Sequence, residues 1–502
     1  MATQFGAGQF GRMASVAVLA AMLAGTVPGG IWAQTDGQVI TKQYDDGSIY
    51  EGTFKSGRQD GIGTYKLPNG FVYIGDWVAG EIKGKGKATY PNGSVYEGEF
   101  AAGKPAGHGK ITFSDGGTYE GEWKDGGMTG KGQATYADGS IYTGSFAAGQ
   151  REGTGKLTTP QGFTYDGAWA KGAKEGKGKI TYADGTSYDG DFKADQREGK
   201  GTLTVPKGPI YVGQWLAGQI AGTGKLSEPN GDTYEGSFVG GQREGKGTST
   251  YANGDIYTGA YRANKHEGKG KFVAKDGASY DGAWLDGQMQ GQGVMAYPDG
   301  SVFAGGFKAG QPDGAGKITY ADGSSYDGAW ALGAIDGMGT STYAGGAVYV
   351  GRHVTGKPDG TGKMTYPDGY IYDGQWKSGV REGTGTATYP EGTVYVGTFV
   401  AGLRSGKGKL SMKNGFTYDG DWAKGEMTGQ GLATYPGGEV YEGAFVQGKR
   451  EGLGKLTYKK GEMSEGVWKN GILMGPVPKP GTGPDVQTPP ATTSDGTTGS
   501  GG

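Results

Sequence analysis

Every 23 residues this chain returns to the same phase, nineteen times and without an insertion or deletion. Tyr50-Glu-Gly52 is followed by Tyr73-Ile-Gly75, Tyr96-Glu-Gly98 and Tyr119-Glu-Gly121, and so on to Tyr441-Glu-Gly443 and Ser464-Glu-Gly466. A fixed period in this range is the mark of a stacked repeat, in which each unit buries its apolar face mainly against its neighbours. Such a chain presents a long surface and lacks the single enclosed core of an ordinary globular enzyme.

Within one period the positions are unequal. Taking Tyr96 as position zero, glycine stands at +2 (Gly98), +7 (Gly103), +11 (Gly107), +13 (Gly109) and +20 (Gly116). The +2 and +11 glycines occur in all nineteen copies, and the +4 slot is Phe, Trp or Tyr in every copy except the one holding His353. Asp or Asn followed by Gly precedes many Tyr slots, as in Pro91-Asn92-Gly93 and Ala137-Asp138-Gly139, and predicts a hairpin closed by a type I turn with a bulge. Strand alternation then sets Tyr96, Gly98 and Phe100 on one face and Glu97 and Glu99 on the other.

The hairpin frame predicts cross-strand partners ten residues apart: Lys87 with Glu97, Lys110 with Glu120, Lys156 with Asp166, Lys179 with Asp189, and likewise along the chain. Where the first partner is uncharged the second usually is too, as in Gln133 with Thr143 and Thr248 with Thr258. Opposite charges across strands contribute roughly 0.2–1 kcal/mol, and their main effect is to fix register, since a one-residue slip exchanges the two faces. On the other face Phe100 falls opposite Gly84, and Gly98 opposite Gly86. Glycine weakens a strand, so its recurrence implies rings lying close to bare backbone, and Gly98→Val is expected to splay the stack locally. Phe and Trp alternate at +4 with one slip at Tyr261, and Arg-Glu-Gly segments (Arg151, Arg197, Arg243, Arg381, Arg450) follow copies without Trp. This 46-residue rhythm reads as growth by duplication of hairpin pairs.

The segment Tyr-Xaa-Gly-Xaa-(Trp/Phe)-Xaa-Xaa-Gly-Xaa-Xaa-Xaa-Gly-Xaa-Gly resembles the MORN repeat (membrane occupation and recognition nexus), in the form of a bacterial exported protein. Tyr165-Asp-Gly-Ala-Trp169 with Gly172, Gly176 and Gly178 carries the resemblance closely, and the pattern covers Tyr50 to Gly475. Departures are Phe303 and Ser464 at the Tyr slot, His353 at the aromatic slot, and Asp195 and Asn264 at the +7 glycine. The resemblance implies an all-β, elongated single-layer antiparallel sheet with one hairpin per repeat. It also implies scaffolding, protein-binding or membrane-associated roles, sometimes with dimerisation. Two strands per repeat give about 10 Å of rise, from a strand spacing of about 4.8 Å.

The ends read differently from the array. Arg12, an apolar run from Met13 to Val27 and small residues up to Ala33 fit a secretion signal over residues 1–33. The repeats occupy 38–475, and 476–502 is rich in Pro, Thr, Gly and Ser, as disordered tails are. The expected location is therefore periplasmic, envelope-associated or secreted.

Chemistry is sparse. The 49 basic and 51 acidic residues leave a net charge of −2, which does not steer the chain to nucleic acid, and cysteine is absent. His108, His266 and His353 stand at unrelated phases, so neither a catalytic constellation nor a metal site is expected, and no cofactor. Gly-Lys pairs lack the Ser or Thr of a phosphate loop, and the turn aspartates lack the alternation of calcium loops. The candidate surface is a groove of rings: Trp77, Trp123, Trp169, Trp215, Trp284, Trp330, Trp376, Trp422, Tyr96, Tyr142 and Tyr188. It suits a non-catalytic exported scaffold that binds a protein partner. The alternatives are a peripheral module for anionic phospholipid headgroups and an envelope polysaccharide binder. Open sheet edges at both ends invite a homodimer.

Overall fold

The computed structural model describes residues 37–477. The expected signal, residues 1–33, and the tail from residue 478 lie outside the described residues. Among the described residues there are 39 strands, from Val39–Gln43 to Ile472–Gly475, and no helix. The expected all-β fold of tandem hairpins is thus what forms. The chain divides into two units, residues 37–275 with 284–287 and residues 276–283 with 288–477. In the first, each strand from Val39–Gln43 to Lys265–Val273 pairs antiparallel with its successor. In the second, the same open meander runs from Gln288–Ala296 to Ile472–Gly475.

One repeat in the first unit shows how sequence becomes structure. The nine-residue strand Glu81–Thr89 leads through the loop Tyr90–Ser94 into the seven-residue strand Val95–Ala101. The loop closes as expected: Tyr90 N–H donates to the Ser94 carbonyl at 2.8 Å and Gly93 N–H to the Tyr90 carbonyl at 2.9 Å. Asn92 Oδ1 accepts from Ser94 N–H at 3.0 Å, the reason an Asn or Asp recurs there. Register follows the ten-residue rule, with Lys87 opposite Glu97, Gly86 opposite Gly98 and Gly84 opposite Phe100.

The second turn is tighter. Ala102-Gly103 joins Val95–Ala101 to Lys104–Thr112, and both turn residues have positive φ, 47° and 75°. That is a two-residue hairpin turn whose twist matches the strands. It explains why only Asp195 and Asn264 replace the +7 glycine: their φ values are 68° and 71°, a region that Asn and Asp enter most readily among residues with side chains.

The +11 glycine has a different reason from the one the sequence suggested. Lys104–Thr112 has nine residues against seven in Val95–Ala101, and the two extra bulge out after Gly98. Gly107 sits in that bulge with φ of 58°, and a Cβ there would strike the Glu99 carboxylate. Gly84 does the same one repeat earlier, under Asp76. The bare backbone beneath the rings belongs to the +2 and +13 glycines, and the ring above them is the tyrosine.

Candidate interaction surface

Each Tyr-slot ring folds over its own +2 glycine. Tyr96 is fully buried, and its hydroxyl donates to the Glu99 carbonyl at 2.9 Å. Gly98 and Gly109 lie face to face beneath the ring, and a Cβ on Gly98 would come within 2.6 Å of the Tyr96 hydroxyl oxygen. Tyr96 also packs edge-on against two +4 rings, Phe100 and Trp123, each at 5.0 Å. The same contacts run through the first unit from Tyr50 to Trp284 and through the second from Tyr280 to Trp468. Edge-to-face pairs contribute about 0.5–1.5 kcal/mol each beyond burial. Every described Trp indole except Trp77 adds a hydrogen bond, as where Trp123 Nε1–H donates to the Gly109 carbonyl at 3.0 Å.

The structure therefore brings the candidate groove residues together within each unit, but as the core. Trp77, Trp123, Trp169, Trp215, Trp330, Trp376 and Trp422 are buried, Trp284 is 9% exposed, and Tyr96, Tyr142 and Tyr188 are fully covered. Burial pushes the phenols of Tyr142 and Tyr188 up to about 12. A partner does not meet the faces of these rings.

The Arg-Glu-Gly segments turn out to tie successive hairpins together. The Arg197 guanidinium lies 4.4 Å from the centre of the Trp215 ring and 5.5 Å from that of Tyr188. Glu198 Oε2 accepts from Ala217 N–H, in the tight turn of the next hairpin, at 2.9 Å. Arg151 and Glu152 do the same with Trp169 and Lys171, and Arg450 and Glu451 with Trp468 and Asn470. His266 occupies the Arg position of its copy, stacked on Tyr257 at 3.5 Å and hydrogen-bonded to Tyr251 Oη at 3.1 Å. Burial lowers its pKa to about 4. His353 takes the +4 slot, fully buried, bonded to Ser341 Oγ at 2.8 Å.

On the opposite face the expected charged pairs are in register, including Lys179 with Asp189 and Lys409 with Asp419. Two of the ten-apart pairs close to ion pairs among the described residues, Lys87–Glu97 at 2.7 Å and Lys110–Glu120 at 3.6 Å. Lys177–Asp191 and Lys407–Asp421, fourteen apart and also directly opposed, close at 2.7 and 2.6 Å. All are largely solvated, which limits each to under about 1 kcal/mol. His108 lies on this face, in a shallow open depression with Lys131, Lys156, Glu120 and Asp166. Among the described residues no group of three or more His, Asp or Glu could hold a metal ion.

The exposed aromatic surface lies elsewhere, at the residue that opens each five-residue loop, six positions ahead of the Tyr slot. In the second unit this position reads Tyr297, Tyr320, Tyr343, Tyr366, Tyr389, Met412, Tyr435 and Tyr458. Tyr320, Tyr343 and Tyr458 are 38–40% exposed, while Tyr366, Tyr389 and Tyr435 rest one side on the core. Tyr370 joins the row between Tyr366 and Tyr389, at 5.4 and 5.0 Å with tilted planes. The signal was present in the sequence as a Tyr six residues ahead of the Tyr slot; periodicity alone did not tell a rim ring from a core ring.

Comparison with known proteins adds the family. No curated protein matches the chain. Among solved structures, the TCP domain of SAS-4 from Drosophila melanogaster, in complex with a proline-rich motif of Ana2, aligns at 14% identity. That match covers 43% of this chain and 99% of that one, with a TM-score of 0.20. The TCP10 domain of Danio rerio CPAP aligns at 13% identity over 53% and 99%, TM-score 0.13. A streptogramin B lyase aligns at 12% over 60% and 92%, TM-score 0.11. Scores this low carry no argument about fold or function. The MORN repeat profile, by contrast, matches eighteen segments between residues 50 and 463, from 50–72 and 73–95 to 441–463. The match shortens to 354–369 in the copy with His353 and to 188–209 at the Val205–Pro209 loop, where Lys207 carries positive φ. The chain belongs to the MORN repeat family.

Proposed function

We propose that the array is a non-catalytic exported scaffold that holds a protein partner along its exposed rims. The observation that carries this reading is the division of labour among the rings. The Tyr-slot and +4 rings are spent on internal stacking, while a second row of partly exposed tyrosines, interrupted at Met412, recurs along the hairpins of the second unit. Tyrosine offers large, stiff contact area with a polar tip, which suits protein recognition. Export is supported by the residue pattern from Arg12 to Ala33.

The test uses the full chain in two parallel assays, affinity capture from envelope extract followed by mass spectrometry and sedimentation with acidic or neutral vesicles at two salt concentrations. A captured protein that is lost on Tyr320→Ala with Tyr343→Ala supports the reading. Salt-sensitive binding to acidic vesicles, with no protein captured, overturns it in favour of the lipid alternative. Retention of polymeric envelope glycan in place of protein overturns it in favour of the polysaccharide binder.

A further inference from the structure

We propose, on the reading just given of the array as a scaffold for a protein partner, that the tyrosine rim at Tyr297, Tyr320 and Tyr343 receives arginine side chains from an extended segment of that partner.

Elsewhere the chain supplies its own partner to a rim ring. In several copies the side chain nine positions after the Tyr slot reaches the loop tyrosine. In the first unit Gln59 Nε2–H donates to Tyr44 Oη at 2.7 Å, and His266 Nε2 lies 3.1 Å from Tyr251 Oη. In the second unit the Arg450 guanidinium stands 5.7 Å from the centre of the Tyr435 ring. Arg381 stands 5.7 Å from the centre of the Tyr370 ring and donates to its hydroxyl. For Tyr297, Tyr320 and Tyr343 the same position holds Pro312, Ile335 and Pro358, which bring neither a charge nor a side-chain donor. The carboxylate that follows is kept: Asp313, Asp336 and Asp359 stand where Glu382 and Glu451 follow their arginines. Tyr320 and Tyr343 are 38% and 39% exposed. These three copies thus have the ring and the carboxylate of the arginine copies without the cation.

The charge of the rim is complementary to such a segment. The five loops from Tyr297 to Thr393 carry Asp299, Asp322, Asp368 and Glu391, all exposed, and no Lys or Arg; a basic residue returns in the next loop, at Lys413. Asp299 and Asp322 hold their turns with Oδ1, which accepts from Ser301 and Ser324 N–H at 2.8 Å. Oδ2 of each is the acceptor for the incoming guanidinium. A guanidinium stacks flat on an aromatic face while its N–H groups bind a carboxylate; an ammonium, compact and strongly hydrated, does this less well. An acidic rim also repels anionic headgroups. Spacing sets the pattern of the partner. Successive hairpins, two strands each, are about 10 Å apart. An extended chain of polyproline type rises about 3.1 Å per residue with three residues per turn, so every third side chain returns to one face after about 9 Å. Arginine at every third position therefore meets successive rim tyrosines.

The probe is a fluorescent synthetic peptide of three tandem Arg-Ser-Pro units, titrated with the full chain at two salt concentrations beside Lys-Ser-Pro and Glu-Ser-Pro versions. Saturable binding of the arginine peptide, weaker binding of the lysine peptide and none of the glutamate peptide are expected. Tyr320→Thr with Tyr343→Thr is expected to weaken binding about tenfold by removing two cation–ring contacts. The chain itself carries Thr159 at this slot, so the hairpins keep their fold. Asp299→Asn with Asp322→Asn keeps the turns, as Asn414 does in its own loop, and is expected to weaken binding and flatten its salt dependence. Ile335→Arg restores the arrangement of the Arg381 and Arg450 copies and is expected to weaken binding by filling the rim from within. Failure of the arginine peptide to saturate overturns the proposal, as does equal binding of the lysine peptide, or binding indifferent to the tyrosine pair or to Ile335→Arg. A protein captured from envelope extract and lost on Tyr320→Ala with Tyr343→Ala, by a chain that ignores the peptide, overturns the arginine assignment and leaves the scaffold reading standing. Rim-dependent peptide binding by a chain that captures no protein supports the assignment and counts against the scaffold reading.

Discussion

Tyr96 lies across Gly98, its hydroxyl reaching past that glycine to the Glu99 carbonyl at 2.9 Å. The contact is possible because a Cβ on Gly98 would stand 2.6 Å from the phenol oxygen and 2.5 Å from Gly109 Cα. A side chain there has no direction of escape, since one obstacle is backbone.

Gly98→Val is accordingly expected to destabilise its hairpin by about 1–3 kcal/mol, the usual cost of overpacking a tight core. Repeat arrays add stability between neighbours, so the damage should stay local. Amide hydrogen exchange is expected to speed up in Val95–Ala101 and Lys104–Thr112 and to stay at parent rates in Ser187–Lys193 of the same unit. Uniform acceleration along the unit would contradict nearest-neighbour stacking.

The tight turn gives a sharper contrast. Gly103 has φ of 75°, and the chain itself accepts Asp195 and Asn264 at the equivalent position. Gly103→Asn is therefore expected to cost less than about 1 kcal/mol, whereas a β-branched residue there pays a left-handed penalty of about 1–2 kcal/mol or more. Denaturant midpoints of Gly103→Asn and Gly103→Val, compared with the parent, check the order. Equal losses would mean that the turn tolerates any side chain.

Arg197 and Glu198 should matter through their neighbour. Removing the guanidinium with Arg197→Ala uncovers Trp215 and forfeits a stacked cation worth roughly 0.5–2 kcal/mol. Glu198→Ala leaves Ala217 N–H without its carboxylate, about 1 kcal/mol. The two act on one hairpin junction, so their sum in the double variant need not be additive. The measurement is exchange protection at residues 211–219, which should fall more than that at 188–193.

Periodicity made much of this visible in advance, because a period-two strand with a fixed turn leaves one self-consistent register. Lys87 opposite Glu97 followed from the loop at Pro91-Asn92-Gly93, and the charges agreed with it. The roles of individual glycines did not follow. Gly98 and Gly107 look alike in the sequence, yet one makes room for a ring and the other turns the backbone in a two-residue bulge. The candidate groove met the same limit. Trp169 and Tyr320 are both periodic aromatics, but Trp169 is 3% exposed and Tyr320 is 38%. What separates them is their place in the hairpin: the Trp169 ring lies on the buried face, edge-on to Tyr142 at 5.4 Å and Tyr165 at 5.0 Å, whereas Tyr320 opens a loop. Trp169→Ala is thus a test of core packing, with a loss of about 3–5 kcal/mol, and reports on ligand binding only through local unfolding.

Alkaline pH should dismantle the ring stack cooperatively. Burial raises the phenols of Tyr50, Tyr142 and Tyr188 from 10.0 to about 12, and those of Tyr96 and Tyr119 in the same direction. In the unfolded chain these groups lose protons at their ordinary value near 10. The fold thus holds the proton more tightly than the unfolded state does. Stability is complete below pH 10 and declines as pH climbs from 10 through about 12, because the unfolded state binds fewer protons there. Since one such tyrosine occupies nearly every hairpin, the slope per pH unit grows with the number of hairpins that open together. Tyrosinate absorbance and the β-sheet circular dichroism signal, followed in one titration, are expected to change in step for the buried set. Complete ionisation of the tyrosines while the β signal persists would show that the hydroxyls are not held as the Tyr96–Glu99 geometry requires.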